Sequence, residues 1–415
     1  MKKYKRLILP IYIILNILYV FIGSYLFMEK KIEYSSFAAN YKYLLISNVV
    51  VILILFIIKK IKKEELKLGK IDIFIGLIIV FSIISVIFAI NKDVALNGIE
   101  CRYEGLYSIL YYFSIMYLCT FVDKKYKKII VMFILINGIY QLIYALRQIT
   151  LIGNVVRIYN KGEIWATGLT NNPNFFGSFM LICLCLSLGL FIDEKKKVFK
   201  VIYGMFLPLF SIGISISNTL SSFVGLFVVF IFSAFYCIKN KRYEIILVFF
   251  LLIYLAVLTT HMFGHTKILN DFTKFTKETK EIVEGNINED YGTKRIFIWK
   301  NTLKIVPDNL LNGVGIDNFY YAFGSKPLSK GRFFFDKAHN EYLQILITEG
   351  IFALISYLCL YFIIVKRGVK RVFKNKQIYL LLPVIGYLVQ AFFNFSVVEV
   401  APFFYICLGL CVERK

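Results

Sequence analysis

The sequence predicts an all-α polytopic membrane protein with about twelve transmembrane helices and one large extracytoplasmic loop containing short helices. Three observations predict it. The 415 residues are 59% hydrophobic, and runs long enough to cross ~30 Å of hydrocarbon recur from one end to the other. These runs are continuous rather than alternating, which selects helices over the strands of a barrel. The basic residues cluster in short loops between the runs, so the net charge of +23 reads as a membrane-topology signal and not as a nucleic-acid footprint.

Taken in order, the expected spans are 7–28, 43–58, 71–90, 105–122, 129–147, 175–192, 201–215, 219–238, 243–260, 341–365, 377–394 and 397–412. The run 43–58 is short, and the pair 201–215 and 219–238 is either two spans or a re-entrant hairpin. Basic clusters stand at the N-terminus, at 59–70, at 124–128, at 195–197, at 239–242 and at 366–376, after every second span. The positive-inside rule then puts both termini in the cytoplasm and the loops 91–104, 148–174 and 261–340 outside. The chain divides into helices one to nine (1–260), the large loop (261–340) and helices ten to twelve (341–415). The basic start followed by an apolar run imitates a signal peptide without a small-residue cleavage site, so it is expected to stay as the first helix. Seven of the eight cysteines fall in apolar runs, which suits neither a disulfide framework nor a zinc site.

The large loop is not a flexible linker. From Lys294 to Val306, the residues Ile296, Trp299, Leu303 and Val306 share one helical face, and Pro307 ends the helix. Such a helix either lies in the headgroup plane or packs on the outer ends of the spans. Asn312-Gly313-Val314-Gly315 reads as a turn. The loop closes on Lys337-Ala338-His339-Asn340-Glu341, where Asn340 is a good N-cap and Glu341 lies in the first helical turn. His339 therefore sits just ahead of a helix N-terminus, where anions are favoured. It is a candidate base beside an anion site or, more simply, a residue at a solvated helix end. His261 and His265 have metal-ligand spacing, but no acidic or Cys partner matches it, so no metal site is expected. Arg295 has the fork that fits phosphate oxygens. Glu349, two turns into the next span, needs a polar cavity or a structural partner on a neighbouring helix. Gln141, Arg147, Gln390, Asn394 and Glu399 are further polar residues near span ends or interiors. Two outer loops, Arg102-Tyr103-Glu104-Gly105-Leu106 and Gly168 to Phe176 with Asn172-Pro173-Asn174, carry turn chemistry and side chains suited to sugar hydroxyls.

At these residues the chain resembles the bacterial O-antigen ligase and polymerase superfamily of membrane glycosyltransferases. Four stretches carry the resemblance in the family's order: Arg102 to Leu106, Gly168 to Phe176, Arg295-x-x-x-Trp299 with Asn312 to Phe319, and His339-Asn340-x-x-Leu343 with Glu349-Gly350-Ile351. It implies transfer of a glycan from undecaprenyl pyrophosphate to an acceptor hydroxyl on a glycan or lipid, at the outer face of the bacterial plasma membrane, by polymerisation or ligation. It implies no cofactor, no obligatory metal and no nucleic acid. By the same resemblance His339 is the general base, Arg295 holds the pyrophosphate, and Glu349, Asn340, Arg102, Asn174 and Arg147 are expected around the substrates. One position departs: many members carry an arginine where Leu220 stands here, with Arg147, Arg157 or Arg102 as possible replacements. The competing readings are a twelve-span transporter or flippase of lipid-linked oligosaccharide, which needs polar groups near the midplane, and a sensor or scaffold with an outer domain.

Overall fold

The computed structural model describes residues 7–63, 68–100, 102–160, 163–241, 248, 258, 267–285, 288, 290–324, 326–328, 331–333, 335–375 and 377–414. Eight described helices are long and apolar enough to cross a membrane: α1 (Ile8–Met28), α2 (Tyr41–Ile61), α3 (Lys70–Ile87), α5 (Lys124–Ile149), α6 (Pro173–Asp193), α7 (Lys197–Ile216), α8 (Leu220–Lys239) and α12 (Ile351–Asn375). Three apolar helices are shorter: α4 (Leu106–Cys119), α13 (Ile378–Gln390) and α14 (Ala401–Leu410). The segment 261–340 contributes α9 (Lys267–Val283) and α10 (Arg295–Ile305), and α11 (Glu341–Glu349) follows it. Eleven of the twelve expected runs carry helix; the ninth, 243–260, falls almost wholly outside the described residues. Two three-residue antiparallel hairpins, Ile158–Asn160 with Glu163–Trp165 and Lys326–Leu328 with Gly331–Phe333, add the only strands among the described residues.

The centre of the molecule is α6. Its sequence is apolar all round with no charge before its last residue, and such a helix is stable only with neighbours on every side. It packs against α5, α7, α8, α13 and α14, and almost every residue from Phe175 to Ile192 is buried. Asn172 starts it, its side chain accepting from the Asn174 N–H at 2.8 Å, with Pro173 in the first turn. Gly189 lets the backbone of α13 approach: a β-carbon there would strike the main chain of Tyr379. Away from this core, buried polar bonds hold helices together, as where Asn48 of α2 donates to Ser114 of α4 at 2.7 Å and accepts from Tyr12 of α1 at 2.7 Å.

The expected span 341–365 is not continuous. Gly350, at φ +86°, breaks it into α11 and α12. The left-handed conformation ends α11, and the freed Ile351 N–H donates to the Leu310 carbonyl at 2.8 Å. A side chain at Gly350 would meet the Leu311 carbonyl. The turn Gly313-Val314-Gly315 docks on the same end: Val314 and Gly315 donate to the carbonyls of Ile347 and Thr348 at 2.9 and 3.1 Å.

The helix expected over 294–306 is present, but its packed face differs from the expected one. Phe297, Ile298 and Thr302 are buried, while Leu303 is exposed. Phe297, Ile298 and Val306 join Val314, Phe319, Phe323, Ala338 and Ile347 in a separate small core. The helix is thus packed against its own segment and the start of α11. Before it, α9 carries Lys–Glu pairs four residues apart at 274/278, 277/281 and 280/284, and Glu278 accepts from the Gly292 N–H at 2.9 Å, fixing the entry to α10.

Replacing Gly189 with Leu is expected to separate α6 from α13 and abolish the folded peak in size-exclusion chromatography of the detergent-solubilised protein; a normal peak would contradict the close packing described.

Candidate active site

Asn340 caps α11: its side chain accepts from the Leu343 N–H at 3.0 Å. The residue two before it is held from both sides. The Ala338 carbonyl accepts from Trp299 Nε1 at 3.0 Å, and the Ala338 N–H donates to Gln344 Oε1 at 2.8 Å. His339 lies between these fixed points in a left-handed conformation, φ +50°, which costs a non-glycine residue on the order of 1 kcal/mol and persists only where the surroundings enforce it. Its ring meets the edge of Phe395 at 5.2 Å between centroids.

Phe395 belongs to the irregular segment 391–400 between α13 and α14. The guanidinium of Arg102 lies over the same ring at 5.3 Å and over Phe175, the third residue of α6, at 5.8 Å. The ammonium of Lys337 is 5.7 Å from the Phe395 centroid. One ring therefore borders a histidine, an arginine and a lysine drawn from the loop before α4 and the segment before α11.

The neutralisation of these charges is uneven. Lys337 pairs with Asp317 at 2.5 Å, both side chains almost inaccessible, and Asp317 also accepts from the Ile99 N–H at 2.8 Å. Burial opposes the Lys337 charge, but the carboxylates of Asp317 and Glu104 outweigh it and leave the ammonium raised. Arg102 Nε donates to Asp336 at 2.5 Å; despite burial this keeps Asp336 below the usual carboxylate range. Arg295 differs. It has no acidic partner among the described residues, its Nη1 bonds only Gly292 O at 3.3 Å and Thr293 Oγ1 at 3.0 Å, and its buried Nε has no partner. Burial lowers it. His339 is depressed to about 4 by burial and then by the Arg295 charge, with Asp336 acting the other way. It is a neutral imidazole at physiological pH, able to accept a proton, under the influence of a guanidinium with no acidic partner among the described residues.

The remaining expected residues are placed as follows. Glu349, at the end of α11, accepts from Ser82 Oγ of α3 at 2.5 Å, so a hydroxyl on a neighbouring helix is its partner. It lines a cavity of about 40 Å³ with Glu104, Asp317, Lys337, Glu341 and Gln344, room for a few waters. Glu341 accepts from the N–H and hydroxyl of Ser396 at 2.7 and 2.8 Å, while burial pushes Glu104, bonded to Tyr112 at 2.6 Å, up to about 8. Asn174 is half-buried in the first turn of α6, next to Phe175. Arg147 is exposed at the end of α5, and Arg157 bonds Gly153 within its own loop at 3.0 Å. Gln390 and Asn394 both donate to Ser178 of α6, at 2.5 and 3.1 Å. His261 and His265 lie outside the described residues. Among the described residues no three His, Cys, Asp or Glu side chains converge as a metal ion requires. Asp336, Lys337, Asp317 and Phe395 were not singled out from the sequence; their roles arise from contacts between distant segments, and no local spacing marks them.

In a variant whose His261 and His265 are replaced by Gln, the His339 imidazole is expected to titrate near pH 4 by NMR. Arg295→Ala is expected to move that midpoint upward, because a cation that disfavours the imidazolium is gone. An unmoved midpoint would mean that Arg295 does not act on His339.

Residues 203–358 match a protein-family model described as O-Antigen ligase. The matched stretch runs from α7 into α12 and includes Arg295, His339 and Glu349. No curated protein matches the chain. The family match covers 156 of the chain's 415 residues and is a likeness over that stretch; the eight helices long and apolar enough to cross a membrane suit a membrane protein.

Proposed function

We propose that this protein transfers a glycan from undecaprenyl pyrophosphate to an acceptor hydroxyl of another glycan or lipid at the outer face of the plasma membrane, as a polysaccharide polymerase or ligase, on a twelve-span scaffold with both termini in the cytoplasm. The observation that carries the reading is a neutral His339 acted on by the Arg295 guanidinium, which has no acidic partner among the described residues and a buried Nε left unbonded. The family match over both residues supports it.

In this reading the acceptor oxygen forms a bond to the anomeric carbon of the donor sugar while the bond from that carbon to the pyrophosphate oxygen breaks. The acceptor proton passes to the His339 imidazole. The electron pair of the broken bond leaves with undecaprenyl pyrophosphate, and the charge gathering there is met by Arg295. Arg102 takes the part of the arginine that the chain lacks at Leu220. It is stacked on Phe175, and α6 at Pro173 accepts from Thr219, the residue before Leu220, at 3.1 Å. It is also among the cations acting on His339, whereas neither Arg147 nor Arg157 is among its main influences. Asn340 orients the histidine through the helix cap, Glu349 lines the small polar cavity, and Asn174, next to Phe175, is taken to face the substrates from the start of α6.

The test is a glycan profile in a gene-deletion strain restored with wild type or variants. His339→Ala is expected to lower transfer by roughly 10²–10⁴-fold and Arg295→Ala by roughly 10²–10³-fold. Single repeats accumulating on the outward-facing carrier identify a polymerase, and full-length chains on the carrier identify a ligase. Repeats retained on the inner leaflet would identify a flippase and overturn the reading, as would wild-type output from both variants.

A further inference from the structure

The Arg102 guanidinium is held by a pair of rings and by one carboxylate, and its Nη edge is left open by the described residues. The guanidinium is bordered at 5.8 and 5.3 Å by Phe175 and Phe395, whose own rings meet edge-on at 5.5 Å. Its Nε is taken by Asp336 at 2.5 Å. Its Nη atoms make no hydrogen bond to the described residues, and the side chain keeps about a quarter of its surface accessible. A guanidinium has few other ways to be anchored without occupying the edge that binds oxyanions in two-pronged fashion. The ring contacts alone do not fix which edge of the guanidinium faces outward; a single carboxylate on Nε does.

Resting on the glycan-transfer reading above, we propose that Asp336 is a positioning residue that turns the open Nη edge of Arg102 toward the diphosphate of the lipid-linked donor, making a second anion-binding group opposite Arg295. Asp336 touches neither reacting atom. It acts through Arg102, and its position follows from the chain: it stands three residues before His339, so the segment that fixes the base also fixes the arginine. The carboxylate charge is absorbed by Arg102 itself, which keeps it from repelling an incoming diphosphate.

The experiment uses the purified full-length protein in detergent or bilayers with a lipid-linked glycan donor and its acceptor. Asp336→Asn is expected to raise the donor KM roughly ten- to hundredfold, the loss of one charge-assisted hydrogen bond, with the acceptor KM unchanged. Because Asp336 acts through Arg102, the double variant Arg102→Gln with Asp336→Asn is expected to be no worse than Arg102→Gln alone. A purely structural role predicts multiplied losses and a lowered unfolding temperature instead, and either result overturns the proposal. Arg102→Lys keeps the ion pair but removes the fork; it is expected to raise the donor KM at least tenfold, so the proposal stays testable if Asp336→Asn does not fold. An unchanged donor KM in Arg102→Lys also overturns it. If His339→Ala and Arg295→Ala transfer glycan like wild type, the transfer reading itself fails. If they are inactive while Asp336→Asn keeps the wild-type donor KM, only the role of Asp336 falls.

Discussion

Lys337 and Asp317 place opposite charges 2.5 Å apart where neither side chain is more than 4% exposed. Removing one partner of such a pair strands the other in a medium that solvates it poorly, at a cost of roughly 3–5 kcal/mol. Asp317 also takes the Ile99 N–H, and the neighbouring Asn318 side chain bonds both the N–H and the carbonyl of Asn91, at 2.7 and 3.1 Å. The loop before α4, the turn after α10 and the approach to α11 are thus tied at one point. The bonds on Ala338 and the conformation of His339 follow from that tie.

The apolar scaffold makes room for so polar a cluster by shortening its inner helices. At 1.5 Å per residue, α4, α13 and α14 are roughly 21, 20 and 15 Å long, well short of ~30 Å of hydrocarbon. Irregular backbone fills the difference, at 98–100, 102–105 and 391–400. Such backbone is tolerated in an apolar protein only when protein or water satisfies it. Here Glu341 takes the Ser396 N–H and the Tyr41 hydroxyl donates to the Val398 carbonyl at 2.5 Å. Phe395, carried on this segment, becomes the surface on which three site residues meet.

The electrostatic design has a direction. Two of the three cations near His339 are compensated by carboxylates, Lys337 by Asp317 and Arg102 by Asp336, and Arg295 has none among the described residues. In a partly buried site an uncompensated guanidinium is costly and favours an anion. Burial first, and then this charge, keep His339 deprotonated, and an anion seated on Arg295 would offset the second effect and strengthen the base as it binds.

Local physics was legible in the residue order. Continuous apolar runs announced the helices, Asn340 the start of one and Pro307 the stop of another, because periodicity and capping depend on near neighbours. Three features were not legible. Gly350 divides what reads as one span, since a lone glycine in an apolar run ends a helix only when another segment, here Leu310, takes up the freed N–H. The packed face of α10 is that of Phe297, Ile298 and Thr302 because the turn and Phe323 cover it, which its own periodicity does not record. The partners of Arg102, Lys337 and Glu349 are Asp336, Asp317 and Ser82, two of them more than two hundred residues away. The sequence by itself determined which segments are helical and apolar and which residue types are available for chemistry. Only the tertiary structure decided which charges are neutralised and which is left open, because that depends on distances between segments that the order of residues does not contain.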